Sequence, residues 1–305
     1  MSATGEMPPV SFHRTDVTFP SEGGNCAAWL YRPAGAQGSG PCVVLAHGLG
    51  ATRVGRLDAF AERFAVAGFH ALVFDYRHFG DSSGHPRHLV SIKEQLLDWK
   101  AAVAFARTLP GVDSGKIAVW GTSFSGGHVA VTAARDTTIA AAISMNPFLD
   151  GRTALRTTPP ARALALTAAG LRDLARAVLR RPPHLIAAVG GAGSGAAMAS
   201  SEALAGFLAM FPADDPPSTD IAARIMLRMG FYRPVTRAPK ITCPWLLQAG
   251  TTDGITPAGP ARRAAAQAPR AQMSMYQGGH FDPYVGAVFE QVVAEQVRFL
   301  TAQLH

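Results

Sequence analysis

The stretch 116–127, KIAVWGTSFSGG, restricts the fold more than any other part of this chain. It opens on an apolar run, Ile117-Ala118-Val119-Trp120. It then turns through Gly121-Thr122-Ser123-Phe124-Ser125-Gly126-Gly127 and continues into a helix-compatible segment at 128–135. A strand that reverses this sharply into a helix leaves room only for small residues beside the tip. Gly121 supplies one of them, two positions before Ser123. Two positions after Ser123 stands Ser125, where a second glycine would be the easiest fit. Ser123 is therefore the candidate nucleophile. Ser125, followed by Gly126-Gly127, is its rival, although its place in the first helical turn aims it away from the tip.

The rest of the chain supplies strands to flank that turn. Residues 41–47, 70–76, 140–145 and 245–249 are apolar runs of the kind buried on both faces of a sheet, and 271–276 adds a further strand. Helical patterns at 56–67, 91–109, 257–268 and 285–303 alternate with them, which implies a parallel sheet with right-handed crossovers. Residues 10–20 and 26–33 alternate in polarity around a Gly/Asn turn and predict an antiparallel hairpin at the sheet edge.

Between 148 and 240 this rhythm stops. No strand is recognisable, and helices are expected near 161–180, 200–210 and 219–229. The cluster Gly190-Gly191-Ala192-Gly193-Ser194-Gly195 reads as a linker, because it lacks the strand and the Lys-Ser/Thr of a phosphate-binding loop. We expect a core of 1–147 and 241–305 carrying a helical cap or lid of 148–240. Its Leu- and Met-rich inner face would include Leu164, Leu166, Leu171, Leu174, Met198 and Met229 and would suit an apolar acyl group.

Composition narrows the function. The 305 residues are 48% hydrophobic and 16% charged, enough to bury one large core. The net charge of +7 comes mostly from scattered arginines, with no basic run interleaved with aromatics, so no nucleic-acid partner is expected. Cys26, Cys42 and Cys243 are odd in number and form no C-x-x-C, which predicts packing roles in a reducing compartment. The N-terminal MSATGEMPPV lacks the basic and apolar regions of a secretory signal, and no apolar run reaches the roughly 18 residues of a membrane span. A soluble, cytoplasmic protein is the expectation. The histidines show no metal-ligand spacing such as H-E-x-x-H, so neither metal nor cofactor is expected.

A serine hydroxyl attacks a carbonyl only when a base takes its proton and a third group orients that base. Asp253 and His280 each follow directly on a predicted strand, on the side of the sheet where Ser123 falls. Asp150, after an earlier strand, is the rival acid. Neither His47 nor His128 follows the last strand.

Taken together, His47-Gly48-Leu49-Gly50, Asp75-Tyr76-Arg77-His78-Phe79-Gly80-Asp81-Ser82, the Gly121–Gly127 turn, Gly250-Thr251-Thr252-Asp253 and Gly278-Gly279-His280 resemble the α/β-hydrolase superfamily over essentially the whole chain. Within it the chain is most similar to capped bacterial esterase-like hydrolases and to polyketide-associated hydrolases and acyltransferases. The resemblance implies an α/β fold with a mostly parallel sheet of about eight strands flanked by helices. It implies Ser123, His280 and Asp253 as nucleophile, base and acid, in that superfamily's chain order of Ser, acid, His. It puts the oxyanion hole at the backbone N–H groups of Leu49 and Phe124, and it makes His47 a packing residue. Asp81 and Arg77 are read as a brace of their loop. The implied substrate is a small-molecule ester or thioester with an apolar acyl part. Acyl transfer in polyketide assembly, peptide cleavage and non-catalytic ligand binding stand as alternatives, and a homodimer is left open.

Overall fold

The continuous apolar runs become the inner strands of one sheet. The computed structural model describes residues 12–35, 38–213 and 217–305. Its main sheet holds eight strands: β1 (Phe12–Ser21), β2 (Gly24–Pro33), β3 (Gly40–Ala46), β4 (His70–Phe74), β5 (Val112–Thr122), β6 (Ala141–Met145), β11 (Trp245–Gly250) and β12 (Ala271–Tyr276). Their spatial order is β1-β2-β4-β3-β5-β6-β11-β12. The β1–β2 hairpin and the β2–β4 pairing are antiparallel, and every later pairing in the sheet is parallel. The expected edge hairpin is thus present, with residues 10 and 11 of its expected first strand outside the described residues.

Helices cover both faces: α1 (Leu57–Val66), α2 (Ile92–Thr108), α3 (Phe124–Arg135), α8 (Gly259–Ala265) and α9 (Gly286–Leu304). Successive strand residues point to opposite faces, so one strand feeds two cores. On β5, Ile117 and Val119 pack with Phe74, Trp99 and Trp245 on one side. Its Ala118 and Trp120 pack with Phe60, Phe64 and Val292 on the other. All three cysteines are free and buried.

Residues 148–240 contribute no strand to the main sheet. They hold α4 (Gly151–Thr157), α5 (Pro160–Val178), α6 (Ala203–Leu208) and α7 (Met226–Met229). They also hold four short strands that the sequence did not announce: β7 (Leu185–Ala187) pairs with β10 (Asp220–Ala222), and β8 (Val189–Gly190) pairs with β9 (Met198–Ala199). Pieces of two or three residues carry no measurable period, so periodicity cannot find them. The helix expected at 219–229 is instead β10, a 3-10 turn and α7. The glycine cluster is likewise not a plain linker, since Gly190 ends β8 and the residues after it turn back to β9.

The inward face of α5 also differs from expectation. Leu164, Leu171 and Leu174 are exposed, whereas Leu166, Gly170 and Asp173 are buried. The helix packs through a small residue. A Cβ on Gly170 would lie 2.8 Å from Leu227 Cγ. Such a face looks weakly apolar in sequence, and the exposed leucines beside it look like the packing side. Asp173 is held side-on by Nε and Nη2 of Arg224, at 2.7 and 2.9 Å, and by the backbone N–H of His184 at 2.8 Å.

Arg77 and Asp81, read from sequence as a brace of their loop, take separate partners. Arg77 Nε donates to the buried Asp98 at 2.6 Å. Arg53 takes Asp81 at 2.5 Å and also pairs with Asp75. The sequence could not choose between these partners, because β4 and its loop meet α2 and the β3–α1 loop only in the folded chain.

Candidate active site

The turn that opened the reading is a strained elbow. Ser123 has φ 52° and ψ −119°, a backbone conformation that costs about 1–3 kcal/mol and persists only where its surroundings enforce it. Two hydrogen bonds do so: Ser123 N donates to the Met145 carbonyl at 2.9 Å, and Phe148 N donates to the Ser123 carbonyl at 2.8 Å. The turn also needs glycine where chains touch. A Cβ on Gly121 would lie 2.5 Å from the Ser125 carbonyl oxygen, and one on Gly127 would lie 2.3 Å from that of Phe148.

Ser125 therefore does not break the turn. Its side chain is fully buried, and its Oγ lies 2.7 Å from the Tyr76 hydroxyl, which also accepts from Trp99 Nε1 at 2.8 Å. The serine replaces a glycine by finding a polar partner in the core. It is not among the residues lining the cavity over the elbow, whereas Ser123 is.

His280 and Asp253 come to Ser123 from the ends of β12 and β11. His280 Nε2 lies 3.0 Å from Ser123 Oγ, and His280 Nδ1 lies 2.7 Å from Asp253 Oδ2. With its proton on Nδ1, the ring donates to the carboxylate and turns an acceptor nitrogen to the serine hydroxyl. All three are buried, at 7%, 6% and 6% exposure, so their contacts work in a low-dielectric setting.

Burial alone would raise the pKa of Asp253. The His280 ring beside it, its hydrogen bond, and donation from Thr256 overcome that penalty and hold the carboxyl below its usual range. Thr256 was not anticipated from sequence. Its N–H and that of Ile255 each donate to Asp253 Oδ1 at 2.8 Å, and its hydroxyl lies 2.8 Å from Oδ2. Asn146, also unanticipated, donates from Nδ2 to the His280 carbonyl at 3.0 Å and accepts from Gly250 N at 3.0 Å. The signal for both was weak: short polar residues near strand ends, which also suit ordinary turns.

The alternative acid and bases lie elsewhere. Asp150 caps α4 and is held by Arg233 at 2.9 Å and Arg263 at 3.1 Å. His128 is hydrogen-bonded to Tyr232 and Gln95, and burial, helped by the charge of His47, pushes its pKa down to about 3. His47 is buried against Tyr76 with its Nδ1 at 3.0 Å from the Gly48 carbonyl. Asp282 accepts from Gly279 N at 2.7 Å and so braces the turn before His280.

A cavity of about 900 Å³ opens over Ser123. Leu49 and Phe124 line it together with Ser123. Phe124 is the first residue of α3, so its N–H has no acceptor within the helix. The other walls come from 148–240, including Leu166, Ile186, Met198 and Met229, and from Ile255 and Thr256 of the core. No group of three or more His, Cys, Asp or Glu side chains suited to a metal occurs among the described residues. Among them, no helix is long and apolar enough to cross a membrane.

This sheet order, elbow and strand-end arrangement define an α/β-hydrolase. The profile of the serine aminopeptidase S33 family matches residues 39–281, and the chain belongs to that family. It is 42% identical over 285 residues, 93% of each chain, to the quorum-quenching protein AidA of Acinetobacter baumannii. It is 32% identical over 138 residues to the polyketide transferase grgF of a Penicillium species, covering 45% of this chain and 46% of that one. Among solved structures, the α/β-hydrolase GrgF from Penicillium superposes with a TM-score of 0.80 at 24% identity, over 96% of this chain and 99% of that one. DcsB, solved with its substrate analogue, gives 0.81 at 22% identity, over 96% and 100%. At these identities the structural likeness speaks for the fold.

Proposed function

We propose that this hydrolase cleaves a carboxylic ester or thioester with a largely apolar acyl part, through an acyl-enzyme on Ser123. The observation that carries the reading is the continuous contact from Ser123 Oγ through His280 to Asp253, at 3.0 and 2.7 Å. His280 takes the serine proton as Oγ attacks the carbonyl carbon. Asp253 fixes the ring tautomer and stabilises the imidazolium. The tetrahedral oxyanion is held by the N–H groups of Leu49 and Phe124. His280 returns the proton to the leaving oxygen or sulfur, then activates water to free the acid. Residues 148–240 act as a cap whose apolar walls receive the acyl group.

The cavity favours an ester over a peptide substrate. An aminopeptidase must hold a free ammonium group, and no Asp or Glu is among the lining residues of this cavity. The 42% identical relative is named a quorum-quenching protein, which puts quorum signals on the substrate panel. Polyketide transferases among the relatives favour a second outcome of the same acyl-enzyme, its capture by an alcohol or amine.

Hydrolysis of p-nitrophenyl esters of increasing chain length tests the reading. We expect turnover that rises from acetyl to medium-chain acyl groups and disappears in Ser123→Ala. Equal rates for acetyl and longer chains contradict the apolar pocket, and an active Ser123→Ala contradicts the nucleophile.

A further inference from the structure

The acyl cavity is apolar with one exception. Its walls are Ala, Leu, Ile, Met, Phe and small hydroxyl residues, and the one charged side chain among its lining residues is Arg162, near the start of α5. Arg162 Nη2 donates to the carbonyls of Ala196 and Ala197, at 2.7 and 3.0 Å, on the segment that leads into β9. Those acceptors are neutral. Its Nε is buried and has no hydrogen-bond partner among the described residues. No ion pair among the described residues involves it either. This half-buried guanidinium keeps a charge with no acid beside it among the described residues, a cost that a bound anion would relieve.

We infer that Arg162 is a subsite for a carboxylate carried by the acyl part of the substrate. A carboxylate in the cavity supplies the opposite charge and an acceptor for Nη1, which no hydrogen bond among the described residues occupies. The polymethylene stretch between that carboxylate and the scissile carbonyl lies along the apolar walls. The preferred substrate is then a half-ester or half-thioester of a dicarboxylic acid, not a simple fatty acyl ester. Burial alone lowers the Arg162 pKa, with no acid to offset it, as expected for a cation awaiting its partner.

This inference rests on the esterase reading, and the test separates the two. Monomethyl suberate and methyl octanoate differ in one chain end. Their binding to Ser123→Ala, and to Ser123→Ala with Arg162→Met, is measured by calorimetry at neutral pH, where the suberate end is ionised. Hydrolysis of the matching p-nitrophenyl esters by the wild type and by Arg162→Met and Arg162→Lys gives the same ratio in kcat/KM. We expect the carboxylate ligand to bind at least about tenfold more tightly than the neutral one in the arginine background. Arg162→Met should bring that ratio to about one, and Arg162→Lys should restore part of it. An arginine that only clamps the 196–197 carbonyls would lower both ligands together and leave the ratio intact, which overturns the subsite. So does a wild-type preference for the neutral chain. Carboxylate-selective binding without hydrolysis would uphold the subsite while the esterase reading failed.

Discussion

Thr256 meets Asp253 twice: its backbone N–H donates to Oδ1 and its hydroxyl reaches Oδ2, each at 2.8 Å. The same hydroxyl oxygen lies 3.0 Å from His280 Nδ1. In the proposed triad, Thr256 thus positions Asp253 against His280 without a hydrogen bond to Ser123. Thr256→Val keeps the shape and the backbone bond but removes the hydroxyl. A hydrogen bond to a charged group is worth about 1.5–3 kcal/mol, so kcat should fall roughly tenfold or more with KM little changed. Steady-state kinetics on one ester, beside a thermal melt, separates this from loss of folding.

The acids divide by role. Asp253→Asn leaves the ring of His280 without its anionic partner, and kcat should fall by roughly a thousandfold or more. Asp150→Asn removes instead the charge that anchors Arg233 and Arg263, while the amide oxygen can still cap α4. It should cost stability, about 1–3 kcal/mol, and spare most of kcat. Paired melts and rates of the two variants check the assignment, and an inverted pattern would make Asp150 the acid.

Acid sensitivity follows from the same carboxyls. Asp253, Asp150 and Asp173 all have folded-state pKa values below the usual 3.8: burial opposes the shift in each, and the His280 or arginine partners with their hydrogen bonds outweigh it. A depressed folded pKa means the unfolded chain binds protons first as pH falls. The stabilisation is therefore complete above about pH 4–5 and is lost as pH drops through 3.8 toward the folded values. Burial also holds His128, His47 and His70 below the usual 6.5, and the unfolded chain charges them first, so melting temperature should decline from pH 7 to 5 and fall more steeply below 4. Asp173→Asn, which removes one of these carboxyls from its arginine, should flatten that fall.

Ser125→Gly should keep most esterase activity, because the Ser125 hydroxyl faces Tyr76 and not the cavity. It should lower stability by about 1–2 kcal/mol, from one lost buried hydrogen bond and a glycine in the first turn of α3. A thermal melt and one ester assay suffice.

The inner sheet was legible because its strands are buried on both faces: 41–47 and 70–76 differ from β3 and β4 by a residue or two, and the half-buried edge strand β12 matches 271–276. Ser123, Asp253 and His280 could be proposed together because each follows a predicted strand, and the structure places Ser123 Oγ 3.0 Å from His280 Nε2 and His280 Nδ1 2.7 Å from Asp253 Oδ2. Residues 148–240 were less so. The buried side of α5 turns on Gly170 and Asp173, a small residue and an acid, which hydropathy reads as the outer face. Thr256, Asn146 and the Tyr76–Ser125 contact join residues far apart in the chain, and no spacing rule couples them. Arg162 looked like one more arginine of a basic protein until the fold put it on the wall of an apolar cavity.

The account turns on one nucleophile, and covalent labelling tests it most directly. The protein is incubated with a fluorophosphonate probe, digested, and the modified peptide located by mass spectrometry. We predict a single adduct on Ser123, absent from Ser123→Ala, retained in Ser125→Gly and much slowed in Asp253→Asn. An adduct on Ser125, or none in the folded wild type, would contradict it.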